Sequence, residues 1–371
     1  MSKQNTPFRF DIVGSFLRPD YLKKARADYE NKVITKEALT EIENKAIIEL
    51  INKQKQAGLK VITDGEFRRA TWHLDFMWAF IGVGHNTTCT GIPFHDEPAF
   101  IDDTYLTGKL SVKNHPFVEH FKFVKQFEDD NTVAKQTIPA PAQFLEQMIF
   151  PMNRERTEKF YPTREVLIND IVSCYKGVIY DLYAAGCRNI QFDDCTWGVC
   201  VDPNATLIFG TDENGLEEIK EQLLLVNNMV IEGKPDDLII NTHICRGNFH
   251  STWASQGAYD SVASTLLARE NVNAYYLEYD DERSGGFEPL KAVSSDKLVV
   301  LGLVTTKDPK LEDKAKIIAK IYEASQYIPL ERLYLSPQCG FASCEIGNKL
   351  SEEEQWAKIA LIKEIAEEVW G

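Results

Sequence analysis

A histidine and a cysteine two residues apart, His243 and Cys245, end the apolar run LIINTHIC at 238–245. In a β-strand, side chains at positions i and i+2 point to the same face, so both could bind one metal ion. One imidazole and one thiolate make up half of a tetrahedral zinc site. A buried cysteine beside a hydrogen-bonded histidine is also ordinary packing, so the pair alone leaves both interpretations open.

Two later residues could complete such a site. Cys339 lies in SPQCG, whose proline and glycine favour a turn that could direct the thiolate inward, and Glu278 ends the apolar run AYYLE. Taken singly, Cys339 could be a packed small residue and Glu278 a salt-bridged carboxylate at the rim of the site. Together with His243 and Cys245, they predict a zinc site of one imidazole, two thiolates and one carboxylate.

The charge of this predicted ligand set indicates its chemistry. Two thiolates and one carboxylate outweigh the charge of a divalent ion, so the site carries a formal charge of about −1. Such a site is poorly suited to polarising a carbonyl but well suited to holding a substrate thiol as its nucleophilic thiolate. Glu278 could be the exchangeable ligand that leaves when the substrate thiol binds. The ligand set therefore predicts attack by sulfur.

Eight β-rich runs alternate with segments of helical spacing, which predicts a (β/α)8 TIM barrel within the α/β class. The eight predicted strands are 10–16, 60–66, 133–140, 189–194, 238–245, 274–280, 298–305 and 332–340. The clearest predicted helices are 35–58, 163–186, 310–328 and 351–370. A doubly wound sheet remains the alternative, because the alternation does not show that the sheet closes.

The chain is predicted to form a single domain over residues 1–371, since no Ser/Gly linker, low-complexity tract or internal repeat divides it. The stretch 68–132 is too long for a plain connection and is predicted to be a structured insertion after the second strand. A smaller excursion, 195–215, follows the fourth strand.

In a barrel, the carboxyl ends of all strands open onto one face, where active sites lie. Polar and metal-binding residues stand at these predicted ends: Ser15, Asp64, Glu66, Asp193, Asp194, His243, Cys245, Glu278, Asp280 and Cys339. Side chains far apart in sequence are therefore expected to converge at the barrel mouth.

The net charge of −15 disfavours a nucleic-acid or anionic-membrane surface, because both partners would be repelled. The chain has no leader-like start and no stretch of roughly 20 uncharged apolar residues, so a cytoplasmic protein is expected. Its eight cysteines lack the dense spacing of a disulfide scaffold and are expected to be reduced thiols, some of them metal ligands.

The motifs GSF, DGE, QFDD, THIC, LEYD and SPQCG, in this order, resemble the catalytic C-terminal barrel of cobalamin-independent methionine synthase. The resemblance covers nearly the whole chain, and the His-x-Cys, Glu, Cys-Gly order is its specific part. It implies a (β/α)8 barrel with zinc bound by His243, Cys245, Glu278 and Cys339. The implied activity is zinc-dependent methylation of homocysteine, or a similar small thiol, to give methionine or its analogue.

The same resemblance implies how an amino-acid thiol is held. Ser15, with backbone amides of the GSF turn, would bind the substrate carboxylate, while Glu66 and Asp193 would accept hydrogen bonds from its α-ammonium group. Asp194 is the reserve choice for Asp193. Pairing of Glu66 with a neighbouring arginine, and a loop-capping role for Asp193, are the alternatives. No catalytic residue beyond the metal site is implied.

The methyl-donor half of the site departs from the family. The segment 139–150 has no tryptophan to pack on a pterin, and 302–309 lacks the histidine that could protonate a departing folate. Trp72, Trp78 or Trp253 could replace the stacking residue, although core or lid packing is the favoured explanation for each of them. The donor could be a folate, another methyl compound, or a methylated corrinoid delivered by a partner protein.

Two other functions remain open beside the methyltransferase. One is a related barrel enzyme, either a corrinoid-dependent thiol methyltransferase or a tetrapyrrole decarboxylase. The other is a non-catalytic protein that binds zinc or a thiol metabolite. The loop Arg246, Gly247 and Asn248 is expected to face the incoming methyl donor.

Overall fold

The computed structural model describes residues 5–87 and 91–371. At its centre lies a six-stranded sheet in which every neighbouring pair is parallel. In spatial order the strands are β12 (Leu333–Pro337), β11 (Leu298–Val304), β10 (Ala274–Glu278), β9 (Ile239–Ile244), β8 (Asn189–Asp194) and β7 (Gln136–Pro139). Consecutive parallel strands joined by helices make this an α/β fold.

A second parallel pair, β1 (Val61–Ile62) and β6 (Val133–Ala134), lies at the β7 edge of this sheet. Lys135, between β6 and β7, continues the pairing by donating its backbone N–H to the carbonyl of Ile62 at 3.0 Å. At the opposite edge, Phe10 forms a parallel bridge with Leu335 of β12. The segment 10–16 also reaches the end of β1, because Thr63 Oγ1 donates to the carbonyl of Gly14 at 2.7 Å.

The first two predicted strands form fewer ladder hydrogen bonds than expected. In the segment 10–16, only Phe10 pairs with a strand, because the Asp11 carboxylate accepts the backbone N–H of Ile12 at 2.7 Å. After β1, the side chain of Gln54 accepts the N–H of Thr63 at 3.0 Å. Side-chain acceptors that take backbone donors in this way compete with a β-ladder.

Thirteen α-helical segments lie within the described residues. They are α1 (Asp20–Glu30), α2 (Lys36–Gln56), α3 (Leu74–Met77), α4 (Pro116–Lys125), α5 (Pro141–Ile149), α6 (Pro151–Glu158), α7 (Arg164–Ala184), α8 (Thr196–Cys200), α9 (Ala205–Phe209), α10 (Glu213–Ile231), α11 (Asp260–Val262), α12 (Lys314–Ala324) and α13 (Glu352–Trp370). A π-helical turn spans Ala263–Leu267, and 3-10 turns span Glu282–Ser284, Glu288–Ala292 and Leu330–Arg332.

Side-chain caps determine where the long helices begin. Thr35 accepts the N–H of Ala38 at the start of α2, and Ser351 forms a reciprocal capping box with Glu354 at the start of α13. Helix α12 begins at Lys314, later than the predicted residue 310, because Asp313 supplies the cap. Local capping chemistry thus sets the boundary that hydrophobic spacing misses.

The stretch between β1 and β6 contains, besides α3 and α4, four strands in two antiparallel pairs. Strand β2 (Ile81–Asn86) pairs with β5 (Asp103–Ser111), and β3 (Ile92–Pro93) pairs with β4 (Pro98–Ala99). The shorter predicted excursion, 195–215, contains α8 and α9. None of the helices in 5–87 and 91–371 is long and apolar enough to cross a membrane.

The central strands are almost wholly inaccessible to solvent. All residues of β8 and β10 are buried, as expected for parallel strands covered on both sides. The register places Asp193 of β8 opposite His243 of β9, and His243 opposite Tyr276 of β10. The carboxyl ends of β8 and β9 therefore present a carboxylate and an imidazole side by side.

Candidate metal centre and substrate cleft

The ends of β9 and β12 bring three metal-binding side chains together. One ligand atom each from His243, Cys245 and Cys339 lies within 4.8 Å of the other two. All three residues are buried, with 2%, 4% and 5% of their surface exposed. Cys339 reaches the cluster from the turn after β12, where the N–H of Gln338 donates to the carbonyl of Val304 at 2.8 Å.

The imidazole of His243 is deeply buried at the end of β9. Neither Nδ1 nor Nε2 has a partner within the described residues, although both atoms are inaccessible to solvent. Leaving buried polar atoms unsatisfied costs on the order of 1–3 kcal/mol each, so native proteins rarely do it without a bound group. An unpartnered imidazole beside two thiols fits a zinc ion, which prefers nitrogen and sulfur ligands.

The two thiols are held in an environment that disfavours their charged forms. Hydrogen bonding to Cys195 and burial raise the pKa of Cys245 well above the usual thiol value. Hydrogen bonding to Cys245 and burial do the same to the pKa of Cys339. A divalent cation reverses this preference, because coordination deprotonates a thiol outright.

Glu278 is buried at the end of β10 but lies outside the cluster of three ligand atoms. Its Oε2 accepts the backbone N–H of Arg246 at 2.9 Å, and its Oε1 accepts a hydrogen bond from Arg283 at 3.0 Å. The ammonium group of Lys307 stands 3.6 Å from the same Oε1. The carboxylate is therefore engaged by two cations and one amide.

A third cysteine lies beside the cluster. Cys195 follows β8 directly, and its Sγ lies 3.0 Å from the Sγ of Cys245. The backbone N–H of Cys195 is fixed by the side chain of Gln143 at 3.1 Å. The residues predicted at this strand end were Asp193 and Asp194, and Cys195 lies one position beyond them. Continuing the fourth strand end by one position would have found this thiol.

A cleft opens above these thiols. Its lining combines the metal-binding residues with polar groups from several strand ends: Val13, Ser15, Glu66, Trp72, Asp193, Cys195, His243, Cys245, Asn248, Cys339, Gly340 and Ser343. Ser15, Glu66 and Asp193, the three predicted substrate-binding residues, all line this cleft.

Glu66 presents a free oxygen to the cleft. Its Oε1 accepts a hydrogen bond from Thr137 at 2.8 Å and pairs with Arg69 at 3.2 Å, whereas its buried Oε2 has no partner within the described chain. Burial raises the pKa of Glu66, against the opposing effects of Arg69 and Arg18. The residue also adopts a positive φ of 63°, which non-glycine residues seldom do. Such strain is characteristic of functional sites.

The two neighbouring aspartates of β8 have different surroundings. Asp193 lines the cleft, where its Oδ1 accepts a hydrogen bond from Gln191 at 2.7 Å. Burial, followed by the charge of Glu66, raises the pKa of Asp193 well above its ordinary value. Asp194 points elsewhere and accepts hydrogen bonds from Thr196 and Asn227. Asp193, and not the alternative Asp194, therefore lines the cleft.

Ser15 is positioned by a close contact with the turn after β12. A Cβ added at Gly340 would lie 1.9 Å from Ser15 Oγ, so only glycine leaves room for the hydroxyl. Ser15 Oγ accepts the N–H of Ala342 at 3.3 Å. Among the amides of the GSF turn, that of Phe16 donates to the carbonyl of Gly65.

The family model described as the catalytic domain of cobalamin-independent synthase matches residues 156–367 of this chain. The uncharacterized protein YxjG of Bacillus subtilis is 42% identical over 374 residues, which cover 100% of this chain and 97% of YxjG. This chain belongs to the cobalamin-independent methionine synthase family.

Solved structures of this methionine synthase family share the fold. The crystal structure of a candidate vitamin-B12 independent methionine synthase from Listeria monocytogenes is 35% identical, with a TM-score of 0.77 and complete coverage of both chains. A B12-independent methionine synthase from Shewanella sp. W3-18-1, solved in complex with selenomethionine, is 20% identical, with a TM-score of 0.70 and 97% coverage of each chain. The second likeness concerns the fold alone.

In this methionine synthase family member, one of the three tryptophans considered for stacking reaches the cleft. Trp72 lines it and stacks on His73, with ring centroids 4.4 Å apart. Trp78 instead bonds Thr104 and stacks on His85. Trp253 lies under the guanidinium of Arg283, 4.3 Å from it, and has no part in the cleft lining.

Of residues 246–248, which follow the metal-binding Cys245, one contributes a side chain to the cleft. Asn248 lines the cleft and donates to the carbonyl of Gly340 at 2.8 Å. Arg246 turns away and donates from Nε to the carbonyl of Gly257 at 2.9 Å. Gly247 packs against Ala254, where an added Cβ would meet the alanine side chain at 2.8 Å. The expected donor-facing loop thus supplies an amide group and no charge.

Proposed function

We propose that this chain is a zinc-dependent S-methyltransferase that forms methionine from homocysteine. The observation that carries the proposal is a single cleft containing both an imidazole beside two thiols and a carboxylate oxygen that have no hydrogen-bond partner within the described part of the chain. Zinc would be held by His243, Cys245 and Cys339, and when bound it would keep the substrate thiol in its thiolate form.

The other cleft residues would orient the amino-acid end of the substrate. Glu66 Oε2 and the Asp193 carboxylate would accept hydrogen bonds from the α-ammonium group, and Ser15 would donate to the α-carboxylate. An incoming cation would also relieve the mutual repulsion of the two buried carboxylates. Fixing both ends of a zwitterion aims its third functional group, the thiol, at the cysteine cluster.

For the whole chain we propose a closed (β/α)8 barrel forming a single cytoplasmic domain, with 68–132 as an insertion after the second barrel strand. In this arrangement the segment 10–16 is the first barrel strand and closes the ring between β12 and β1. The bridge from Phe10 to Leu335 and the hydrogen bond from Thr63 to Gly14 support this closure.

The methyl donor is proposed to carry a leaving group that departs without protonation, such as a sulfonium compound or a methylated corrinoid. The loop after β11 has no histidine, and its Lys307 is paired with Asp280 at 2.7 Å. A methyl-folate nitrogen must be protonated to leave, and this loop offers no imidazole for that task.

The test is methionine formation by the zinc-loaded protein from homocysteine and, separately, a methyl-folate, methylcobalamin and a sulfonium donor. Turnover with at least one donor, abolished by His243→Ala, supports the proposed methyltransferase. Rapid turnover with the methyl-folate alone contradicts the proposal about the donor but not the methyltransferase. Homocysteine binding without turnover from any donor contradicts the proposed methyltransferase activity and favours a non-catalytic thiol-binding protein.

A further inference from the structure

One buried asparagine, Asn348, joins the segments that follow β9, β11 and β12 at the rim of the cleft. It lies after β12, is 6% exposed and does not line the cleft itself. Its side chain forms hydrogen bonds with Asn248 and Ser251, which follow β9, and with Thr306, which follows β11. The placement of these segments relative to one another therefore depends on one amide group.

Backbone groups determine the orientation of the Asn348 amide. Its Oδ1 accepts the N–H of Ser251 at 2.9 Å, and its Nδ2 donates to the carbonyl of Thr306 at 2.8 Å. A backbone N–H can only donate and a backbone carbonyl can only accept, so the oxygen and nitrogen of this side chain cannot exchange places. The other hydrogen of Nδ2 is therefore directed at Oδ1 of Asn248, 2.9 Å away.

The orientation of Asn248, which lines the cleft, follows from that of Asn348. Because its Oδ1 faces the Asn348 amide, its Nδ2 faces the carbonyl of Gly340 at 2.8 Å and the Oγ of Ser343 at 3.1 Å. If the two ends of the Asn248 amide exchanged places, its oxygen would meet the Gly340 carbonyl and two acceptors would repel each other. Asn348 thus keeps Asn248 in the orientation that binds Gly340.

Gly340 is in direct contact with Ser15, the residue proposed to bind the substrate carboxylate. A Cβ added at Gly340 would lie 1.9 Å from Ser15 Oγ. The next two residues also bond Ser15, because Phe341 donates its N–H to the Ser15 carbonyl at 3.0 Å and Ala342 donates to Ser15 Oγ at 3.3 Å. A shift of the Gly340 peptide should therefore move the Ser15 hydroxyl.

We propose that Asn348 is a positioning residue for homocysteine binding, which acts through Asn248 and Gly340 on Ser15. This inference rests on the proposed homocysteine site and adds a residue that does not touch the substrate. Thr306 also contacts the Gly340 carbonyl, from Oγ1 at 3.0 Å, but Gln338 holds Thr306 separately by accepting its N–H at 2.6 Å. Loss of the Asn348 side chain should therefore release Asn248 and leave Thr306 in place.

The test is a double-mutant cycle, measured by calorimetric titration of the zinc-loaded full chain with homocysteine. Asn348→Ala and Asn248→Ala are each expected to raise the homocysteine dissociation constant by about 3- to 10-fold, the effect of one displaced hydrogen bond. The double variant should bind homocysteine about as weakly as Asn248→Ala alone, because two residues that act on one route do not contribute independently. A role of Asn348 in stability alone would not produce this coupling.

Asn153→Ala is the matched control. Asn153 is also a buried asparagine whose Nδ2 donates to two backbone carbonyls, those of Thr104 and Gln147, and it does not line the cleft. The control should bind homocysteine as the native protein does, even where it loses unfolding free energy. This comparison separates positioning of the cleft from a general loosening of the fold.

A second variant, Asn348→Asp, keeps the volume of the side chain and the acceptor for Ser251 but turns an oxygen towards Asn248. Its homocysteine affinity should fall at least as far as that of Asn348→Ala. The inference is overturned by native affinity in either Asn348 variant, by a double variant whose loss equals the product of the two single losses, or by an equal loss in Asn153→Ala. Each of these results leaves the proposed methyltransferase standing, whereas a native protein that binds no homocysteine overturns both.

Discussion

Replacing Glu66 with glutamine should weaken homocysteine binding selectively. The buried Oε2 has no partner in the described chain, while Oε1 already bonds Thr137 and Arg69. Glutamine preserves the volume of the side chain but removes its negative charge. If the amide nitrogen takes the place of Oε2, it presents a donor where the substrate ammonium group needs an acceptor.

The size of the effect follows from the lost hydrogen bond. A hydrogen bond to a charged group contributes about 1.5–3 kcal/mol, which corresponds to roughly 10- to 150-fold in the dissociation constant. Zinc affinity should not change, because Glu66 is not among the candidate ligands. The substitution removes a buried charge but leaves the buried Arg69 without its carboxylate partner at 3.2 Å, so the variant is expected to be less stable than the native protein, and its fold is verified by circular dichroism before the titration.

The assay is calorimetric titration of the zinc-loaded protein with homocysteine. Glu270→Gln is the matched control, because Glu270 is also a buried glutamate with one unpartnered oxygen, yet it does not line the cleft. The control should bind homocysteine as the native protein does. An unchanged dissociation constant in Glu66→Gln, or an equal loss in both variants, would refute the proposed ammonium site.

Three further outcomes are expected. Gly340→Ala should displace Ser15, because the added Cβ would lie 1.9 Å from its Oγ. This variant should bind homocysteine more weakly and lose about 1–3 kcal/mol of unfolding free energy. The control Gly108→Ala, whose added Cβ has a single contact at 3.9 Å, should bind homocysteine normally in the same titration. Burial and the charge of Asp194 raise the pKa of Glu270 to about 8 in the folded protein. The folded state therefore keeps this proton at pH values where the unfolded state has lost it, so the unfolding free energy should fall as pH rises from 4.5 to 8. At about 1.4 kcal/mol per pKa unit, the fall amounts to up to several kcal/mol. Denaturant titrations should show that fall reduced in Glu270→Gln, and an undiminished slope would contradict the assignment. Trp72→Ala should raise the KM for an aromatic methyl donor by about 2- to 10-fold without changing the affinity for homocysteine. Steady-state kinetics with each substrate varied separately measure both effects, and an equal rise in the KM of both substrates would contradict a stacking role for Trp72.

Much of the architecture can be predicted from the sequence, because local patterns of residues determine it. Capping residues and apolar spacing predict helices close to α2, α7 and α13. Parallel strands buried on both faces appear as continuous apolar runs, as at β11. The exceptions are the segment 10–16 and β1, where polar side chains from Asp11 and Gln54 take backbone donors.

The site is less predictable where side-chain direction matters. Two adjacent aspartates end β8, and only the structure shows that Asp193 enters the cleft while Asp194 bonds Thr196 and Asn227. The two cations beside Glu278, Arg283 and Lys307, come from separate loops, so the sequence around Glu278 does not predict that both contact it. Contacts of this kind depend on tertiary packing, which the spacing of a single motif does not encode.

The zinc affinity of Cys339→Ser tests the central claim most directly. The native protein should retain stoichiometric zinc against a competing chelator, and Cys339→Ser should lose more than about 10-fold in zinc affinity. Cys187→Ser is the control, since Cys187 is buried beside Asn189 and outside the cleft, and it should hold zinc as tightly as the native chain. Native protein without zinc, or equal affinity in Cys339→Ser, would contradict the proposed metal centre.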